Sequence, residues 1–137
     1  MANIDKFEDL EVWILARHLT SLVYKVSKGM VAAHDYALRD QMCRAAVSIG
    51  ANVAEGFGRK TDRDFSSFLY TAKGSAMELV SHLYVALDQG YLAKEEFDKV
   101  YSRCRTVISK LVRFIGYLDS HPRKTRFAPA PSSGDRR

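Results

Sequence analysis

Glu55, Glu78 and His82 are the residues of this chain whose types suit a metal or an acid–base site. Glu78 and His82 are four apart, one helical turn, and Glu55 closes an earlier helical run. Dinuclear sites in helical bundles use inward glutamates together with a Glu and a His three apart on each of two helices. Here the spacing is four and it occurs once. These side chains are therefore read as structural, and no catalytic residue, metal or cofactor is expected. Other catalytic parts are missing as well. No Ser, Cys or Lys stands in a nucleophile motif beside an identifiable base, and no glycine-rich phosphate loop follows a strand. Gly56-Phe57-Gly58 follows a helix and reads as a turn in which the chain takes positive φ. His18, His34 and His121 are scattered along the chain.

The other chemistry on offer is cationic. Arg59, Lys60 and Arg63 crowd the turn between the second and third helical runs, diluted by Asp62 and Asp64. Arg123, Lys124, Arg126, Arg136 and Arg137 add a basic arm. Such an array can hold RNA or DNA phosphates without reading bases. The alternative is a solvated loop and a solubilising tail. The net charge of +5 is unevenly spread: from Asp119 onward there are five Lys/Arg against two Asp, leaving 16 basic and 14 acidic residues before it. The body is thus nearly neutral, the tail carries most of the excess, and the overall basicity does not by itself argue a basic binding face.

The elements that must position these groups are all helical. At 137 residues, 47% apolar and 27% charged, the chain suits one globular domain with a real core. The first run, from about Asp9 to Lys28, repeats Val12, Ala16, Leu19, Val23 and Val26 at helical spacing, with Gly29 as its expected stop. The apolar link from Met30 to Asp35 is expected to pack under the bundle end. A second helix extends from about Tyr36 to Glu55. A third starts at Thr61, an N-cap with Asp64 three residues on, and continues to about Asp88, with Gly90 closing it. The fourth spans about Lys94 to Leu118, with acids in its first turn and Ala93 in place of a capping Ser or Thr. Short links between long helices force antiparallel neighbours. The fold expected is an all-α, up-down-up-down four-helix bundle over residues 1–118, followed by a basic Pro/Ser-containing disordered tail over 119–137. No apolar run is long enough to span a membrane. The N-terminus lacks a secretory pattern, so the cytoplasm is the expected compartment, and Cys43 and Cys104 are expected as buried free thiols.

The second helix carries three faces. Met42, Ala46, Ile49 and Val53 make an apolar stripe, Ala46, Gly50 and Ala54 a small row, and Gln41, Arg44, Ser48, Asn52 and Glu55 a polar stripe. A helix with three kinds of face has more than one kind of neighbour, which points to an assembling bundle. The polar stripe is expected to meet Thr71, Ser75, Glu78 and His82 in a hydrogen-bond network, within the chain or between subunits, with Arg44 forked onto Glu55 or Glu78. Tyr70, Met77, Tyr84 and Tyr91 recur every seven residues off the core stripe of the third helix, and Trp13 lies off that of the first. Trp13, Tyr70, Met77 and Tyr84 are the expected subunit contacts, since Tyr, Trp and Met favour interface cores.

The run from Arg44 to Arg59 resembles the signature of a bacterial four-helix-bundle family that includes the proteins encoded in intervening sequences of 23S ribosomal RNA genes. Supporting matches are Phe7-Glu8-Asp9-Leu10-Glu11-Val12-Trp13, Asp64 to Leu69 leading into Gly74 to Leu79, and Gly90 to Phe97. The resemblance implies an antiparallel bundle assembling into a ring, typically a homopentamer, with no enzymatic activity. It also extends to the accessory variability protein of diversity-generating retroelements, a basic pentamer that binds nucleic acid and a reverse transcriptase. The expected function is a non-enzymatic oligomeric scaffold or adaptor. It would touch RNA or DNA through Arg59, Lys60, Arg63, Arg123, Lys124 and Arg126. The alternative is a structural or regulatory protein–protein module with no nucleic-acid role.

Overall fold

The structure is a computed structural model and describes residues 4–127. A 3-10 turn, Phe7–Asp9, precedes α1 (Glu11–Val26), a short α2 (Lys28–Ala32), α3 (Tyr36–Phe57), α4 (Asp62–Asp88) and α5 (Lys94–Ser120). There is no strand among the described residues. The four long helices close a ring of contacts in which α3 packs on α4, α4 on α5, and α1 on both α3 and α5. Each pair is antiparallel: Gly56 near the end of α3 meets Phe65 and Phe68 near the start of α4, and Ser66 of α4 bonds Asp119 of α5. This is the expected up-down-up-down four-helix bundle.

The apolar stripes read from the sequence are the ones that face inward. Val12, Ala16, Leu19 and Val23 of α1 meet Met42, Ile49 and Val53 of α3, Leu69, Leu79 and Leu83 of α4, and Val100, Leu111 and Leu118 of α5 in one core. Helical packing of such stripes removes apolar area from water at about 25 cal/mol per Å2, which is what makes the bundle stable. Both cysteines lie in this core unpaired, and burial pushes the Cys104 thiol up to about 12, so it stays protonated and inert.

The local stops follow their chemistry in most places. Thr61 Oγ1 accepts the Asp64 amide at 3.1 Å, as its cap position requires. Gly90, at φ 77°, ends α4: its N–H reaches the Leu87 carbonyl at 3.0 Å and the Tyr91 N–H reaches the Ala86 carbonyl at 2.9 Å. This is a complete Schellman closure. Ala93 offers α5 no side-chain cap, and Glu96 Oε1 instead accepts the Ala93 amide at 3.0 Å, half of a capping box.

Glycine is where the sequence reading needs correction. Gly29 does not end the first helix. The chain breaks at Ser27 and turns into α2, which buries Met30 under the bundle end and leaves Gly29 where a Cβ would sit 2.5 Å from the Tyr91 carbonyl oxygen. Nor do Gly56 and Gly58 take positive φ. α3 runs on through Phe57, and Gly58 has φ −76°. Gly56 is required by proximity: a Cβ there would lie 2.6 Å from Phe68 Cβ and 2.9 Å from Phe65 Cδ1. Gly50 of the small row is looser, with its nearest contact 3.6 Å away at Trp13 Nε1.

Two substitutions on one helix should therefore behave oppositely. Gly56→Ala is expected to destabilise the protein by about 1–3 kcal/mol through overpacking of α3 on α4. Gly50→Ala, with room for its methyl and a better helix propensity, should be neutral or stabilising by up to about 1 kcal/mol. Gly50→Leu should displace Trp13 and lose stability. Urea unfolding midpoints of the three variants decide this. A harmless Gly56→Ala would show that the contact relaxes freely.

Candidate nucleic-acid interface at one end of the bundle

The turn between α3 and α4 and the segment after α5 lie at the same end of the bundle, and one carboxylate joins them. Asp62 opens α4 and is 1% exposed. Its Oδ2 accepts the Arg123 backbone N–H at 2.8 Å and Arg123 Nε at 2.9 Å, while Oδ1 accepts Arg123 Nη2 at 3.1 Å. The Asp62 N–H in turn donates to the Arg123 carbonyl at 3.1 Å. Arg126 Nε approaches Oδ1 at 3.3 Å as a second ion pair. The Arg126 guanidinium lies 4.9 and 4.4 Å from the ring centroids of Phe57 and Phe65 and donates from Nη1 to the carbonyl oxygens of Phe57 and Arg59, the latter at 2.8 Å. One arginine thus satisfies the Phe57 carbonyl that α3 itself leaves open and the Arg59 carbonyl of the turn that follows. The Arg126 N–H adds a bond to the Lys60 carbonyl at 2.8 Å.

This corrects the expectation of a mobile basic arm for the part of it that the structure describes. α5 continues to Ser120, and residues 121–127 fold back across the α3–α4 turn as a brace. The rest of the expected tail, including Arg136 and Arg137, lies outside the described residues. The six cations named from the sequence consequently divide. Arg123 and Arg126 are engaged by Asp62, and Arg126 is nearly enclosed. Arg59 pairs with Glu55 at 3.0 Å and lies 4.5 Å from the Phe68 ring centroid, yet it stays exposed. Lys60, Arg63 and Lys124 are exposed and form no ion pair among the described residues. Thr61, Arg63, Asp119, Pro122, Arg123 and Lys124 border a shallow cleft of about 490 Å3. The side chain that sequence reasoning undervalued is Asp62, read as a mere diluent of charge. Its position just after a capping Thr is visible in the sequence, but its principal partner, Arg123, lies 61 residues away.

The polar stripe is assembled only in its middle. Ser48 Oγ and Ser75 Oγ share a hydrogen bond of 2.8 Å between α3 and α4, and Asn52 Nδ2 donates to the Ser48 carbonyl at 2.8 Å and to its Oγ at 3.0 Å. Glu55 turns to Arg59 just past the end of α3, and Glu78 to His82 of its own helix at 3.2 Å, so neither acid bridges α3 and α4. Gln41 and Arg44 are exposed, and Arg44 forms no ion pair with Glu55 or Glu78 within the chain. Of the expected subunit contacts, Trp13 is spent internally against Gly50 and Phe7, its ring centroid 5.1 Å from that of Phe7. Tyr70, Met77 and Tyr84 stand 54%, 46% and 47% exposed along α4. Tyr84 touches Phe97 and Tyr101 of α5, and Val112, on the same face of α5 as Tyr101, is also exposed. An apolar strip therefore follows the seam of α4 and α5.

Burial alone would raise the Asp62 carboxyl, but the Arg123 hydrogen bonds and the charges of Arg123 and Arg126 outweigh it and hold the group below its ordinary value of 3.8. A carboxyl depressed by folding contributes stability that is complete above the unfolded value and drains away as pH falls through the lower folded one. Acid unfolding of the wild type should accordingly show the brace weakening below about pH 3.8. Asp62→Ala should remove that component, cost about 3 kcal/mol at neutral pH because it strands Arg126, and open the Arg123 and Lys124 bonds to trypsin. Unchanged proteolysis would mean that the brace does not depend on the carboxylate.

Comparison with known proteins places the architecture. The profile described as "23S rRNA-intervening sequence protein" matches residues 8–113. A crystal structure of a protein of unknown function from the S23 ribosomal protein family of Bacteroides thetaiotaomicron VPI-5482 superposes with a TM-score of 0.72 at 21% identity, covering 76% of this chain and 97% of that one. At that identity the likeness speaks for the fold. No curated protein matches the chain.

Proposed function

The chain belongs to the family of 23S rRNA-intervening sequence proteins, and on that premise we propose that it is a non-enzymatic scaffold. In this reading copies of the bundle assemble into a closed homo-oligomer, a homopentamer by the family resemblance, and each offers its α3–α4 end to nucleic-acid phosphates. The observation that carries the nucleic-acid part is the brace. It brings Lys124 and the edge of Arg123, from after α5, to the same cleft as Arg63 from the start of α4. A held array loses less entropy on binding than a loose basic arm would. With Arg126 turned inward, the phosphate contacts fall to Lys60, Arg63 and Lys124, with Arg59 beside them. These are point charges and forks aimed at a backbone, suited to affinity without base readout.

The apolar strip of Tyr70, Met77, Tyr84 and Val112 supports the assembly part. Large exposed side chains in a row are the usual composition of an interface core. The same strip favours the second reading, a protein–protein module with no nucleic-acid role, if the chain proves to bind no polyanion.

Light scattering should give about five times the 15.5 kDa chain mass. Met77→Asp, altering a half-exposed side chain, should return the mass of one folded chain, and a monomeric wild type would refute the assembly. For nucleic acid, contact with about four duplex phosphates predicts a log–log salt slope near −3.6, roughly a 150-fold loss between 50 and 200 mM. The combined Lys60→Gln, Arg63→Gln and Lys124→Gln variant should flatten that slope while keeping the mass. Absence of binding to duplex, structured RNA and single strands at low salt would defeat this part.

A further inference from the structure

A second concentration of cations lies away from the α3–α4 end, where α1 and α5 run side by side. His18, Ser21, Leu22 and Lys25 of α1 face Lys99 and Arg103 of α5 across a groove of about 340 Å3. His18, Ser21 and Lys25 recur at three and four, and Lys99 and Arg103 at four, so each helix presents its groups on one face. None of Lys25, Lys99 and Arg103 forms an ion pair among the described residues. The acids nearest along α5 are engaged elsewhere: Glu96 accepts the Ala93 amide and Asp98 pairs with Lys94. Glu95, one turn before Lys99, makes no pair with it. Farther along the same seam the pattern differs, and Lys110 is matched by Glu11 at 2.7 Å. A helix seam that can place a carboxylate opposite a lysine at one point leaves like charges facing each other at another. Lys99 and Arg103 also repel along their own helix. This arrangement costs the free protein stability, and an anion in the groove would reverse the sign of the interaction.

We propose that the α1–α5 groove binds the phosphate backbone of a single-stranded nucleic acid, as a site separate from the α3–α4 end. The run from His18 to Lys25 measures about 10.5 Å along the helix axis, enough for successive phosphates of one strand. Lys25, Lys99 and Arg103 supply charge, and the Ser21 hydroxyl supplies a donor between them. A groove this size admits one strand, and a duplex would ride over its rim. Leu22 is the apolar residue of the lining and is only partly exposed, so the groove offers no wedge with which to enter a lipid surface.

The test is an anisotropy titration of the full chain with a labelled single-stranded RNA of about 12 nucleotides at about 50 and 200 mM salt. Combined Lys25→Gln, Lys99→Gln and Arg103→Gln should weaken binding roughly tenfold or more and reduce the salt slope by about 2, near 0.7 for each lost phosphate contact on a single strand. The same variant should melt no lower than the wild type, because it relieves repulsion; a separate Ser21→Asp variant should weaken binding with all three cations intact. Wild-type affinity in both variants would overturn the proposal, as would wild-type protein that binds phosphatidylserine vesicles and no RNA. Loss of all binding in the Lys60, Arg63 and Lys124 variant, with none in the groove variant, would overturn it while sustaining the end-face reading. The reverse result would sustain the groove and remove the end face.

Discussion

A carboxylate can be taken out of water only where donors and cations replace its hydration, and the end of this bundle is organised around one such replacement. Asp62 is enclosed at the start of α4, and its lone pairs are filled by a backbone N–H and a guanidinium fork from Arg123, with Arg126 as a second counter-charge. Each partner brings a segment with it. Arg123 fixes the chain after α5, and Arg126, drawn in over Phe57 and Phe65, satisfies carbonyls at and just past the end of α3. Three parts of the chain meet through one ionised group. Losing the charge would leave Arg126 nearly enclosed beside a neutral side chain.

A second constraint acts along the α3–α4 interface. The helices approach so closely at Gly56 that the contact leaves no space for a methyl group, and a few turns away the same interface carries the Ser48–Ser75 hydrogen bond. Small and hydroxylated residues make that distance possible, and the distance makes their short bonds possible. This accounts for a helix that carries Ala, Gly, Ser and Asn where a bundle helix would usually carry Leu. The three faces of α3 have distinct neighbours: the core, Trp13 and Thr20 of α1 on the small row, and α4 on the polar stripe.

On the proposed reading, binding depends on which charges remain free after folding has used the others. The brace withdraws Arg123 and Arg126 from the basic set while holding Lys124 beside Arg63. In the α1–α5 groove, three cations meet with no acid paired to them. The apolar strip along α4 and α5 is a third unmatched surface. Charge counts along the chain could not separate these cases, since a paired arginine and a free one read alike.

What the sequence by itself determined is the local part: four helices, their inward stripes, the Thr61 cap and the Gly90 closure. Each depends on residues within one or two turns, so spacing of three and four carries the information. The tertiary structure decided which faces meet, and with that the meaning of residues whose types are ambiguous alone. Gly29 and Gly56 proved to be points of close approach, because a glycine needed for φ and one needed for proximity look the same in a sequence. Trp13 closed over Gly50, and of the expected polar network Ser48 and Ser75 join α3 to α4 with Asn52 beside them, while Glu78 and His82 pair within α4. Asp62 found Arg123 61 residues away. An ion pair requires only opposite charge at contact distance, and distance is a property of the folded chain.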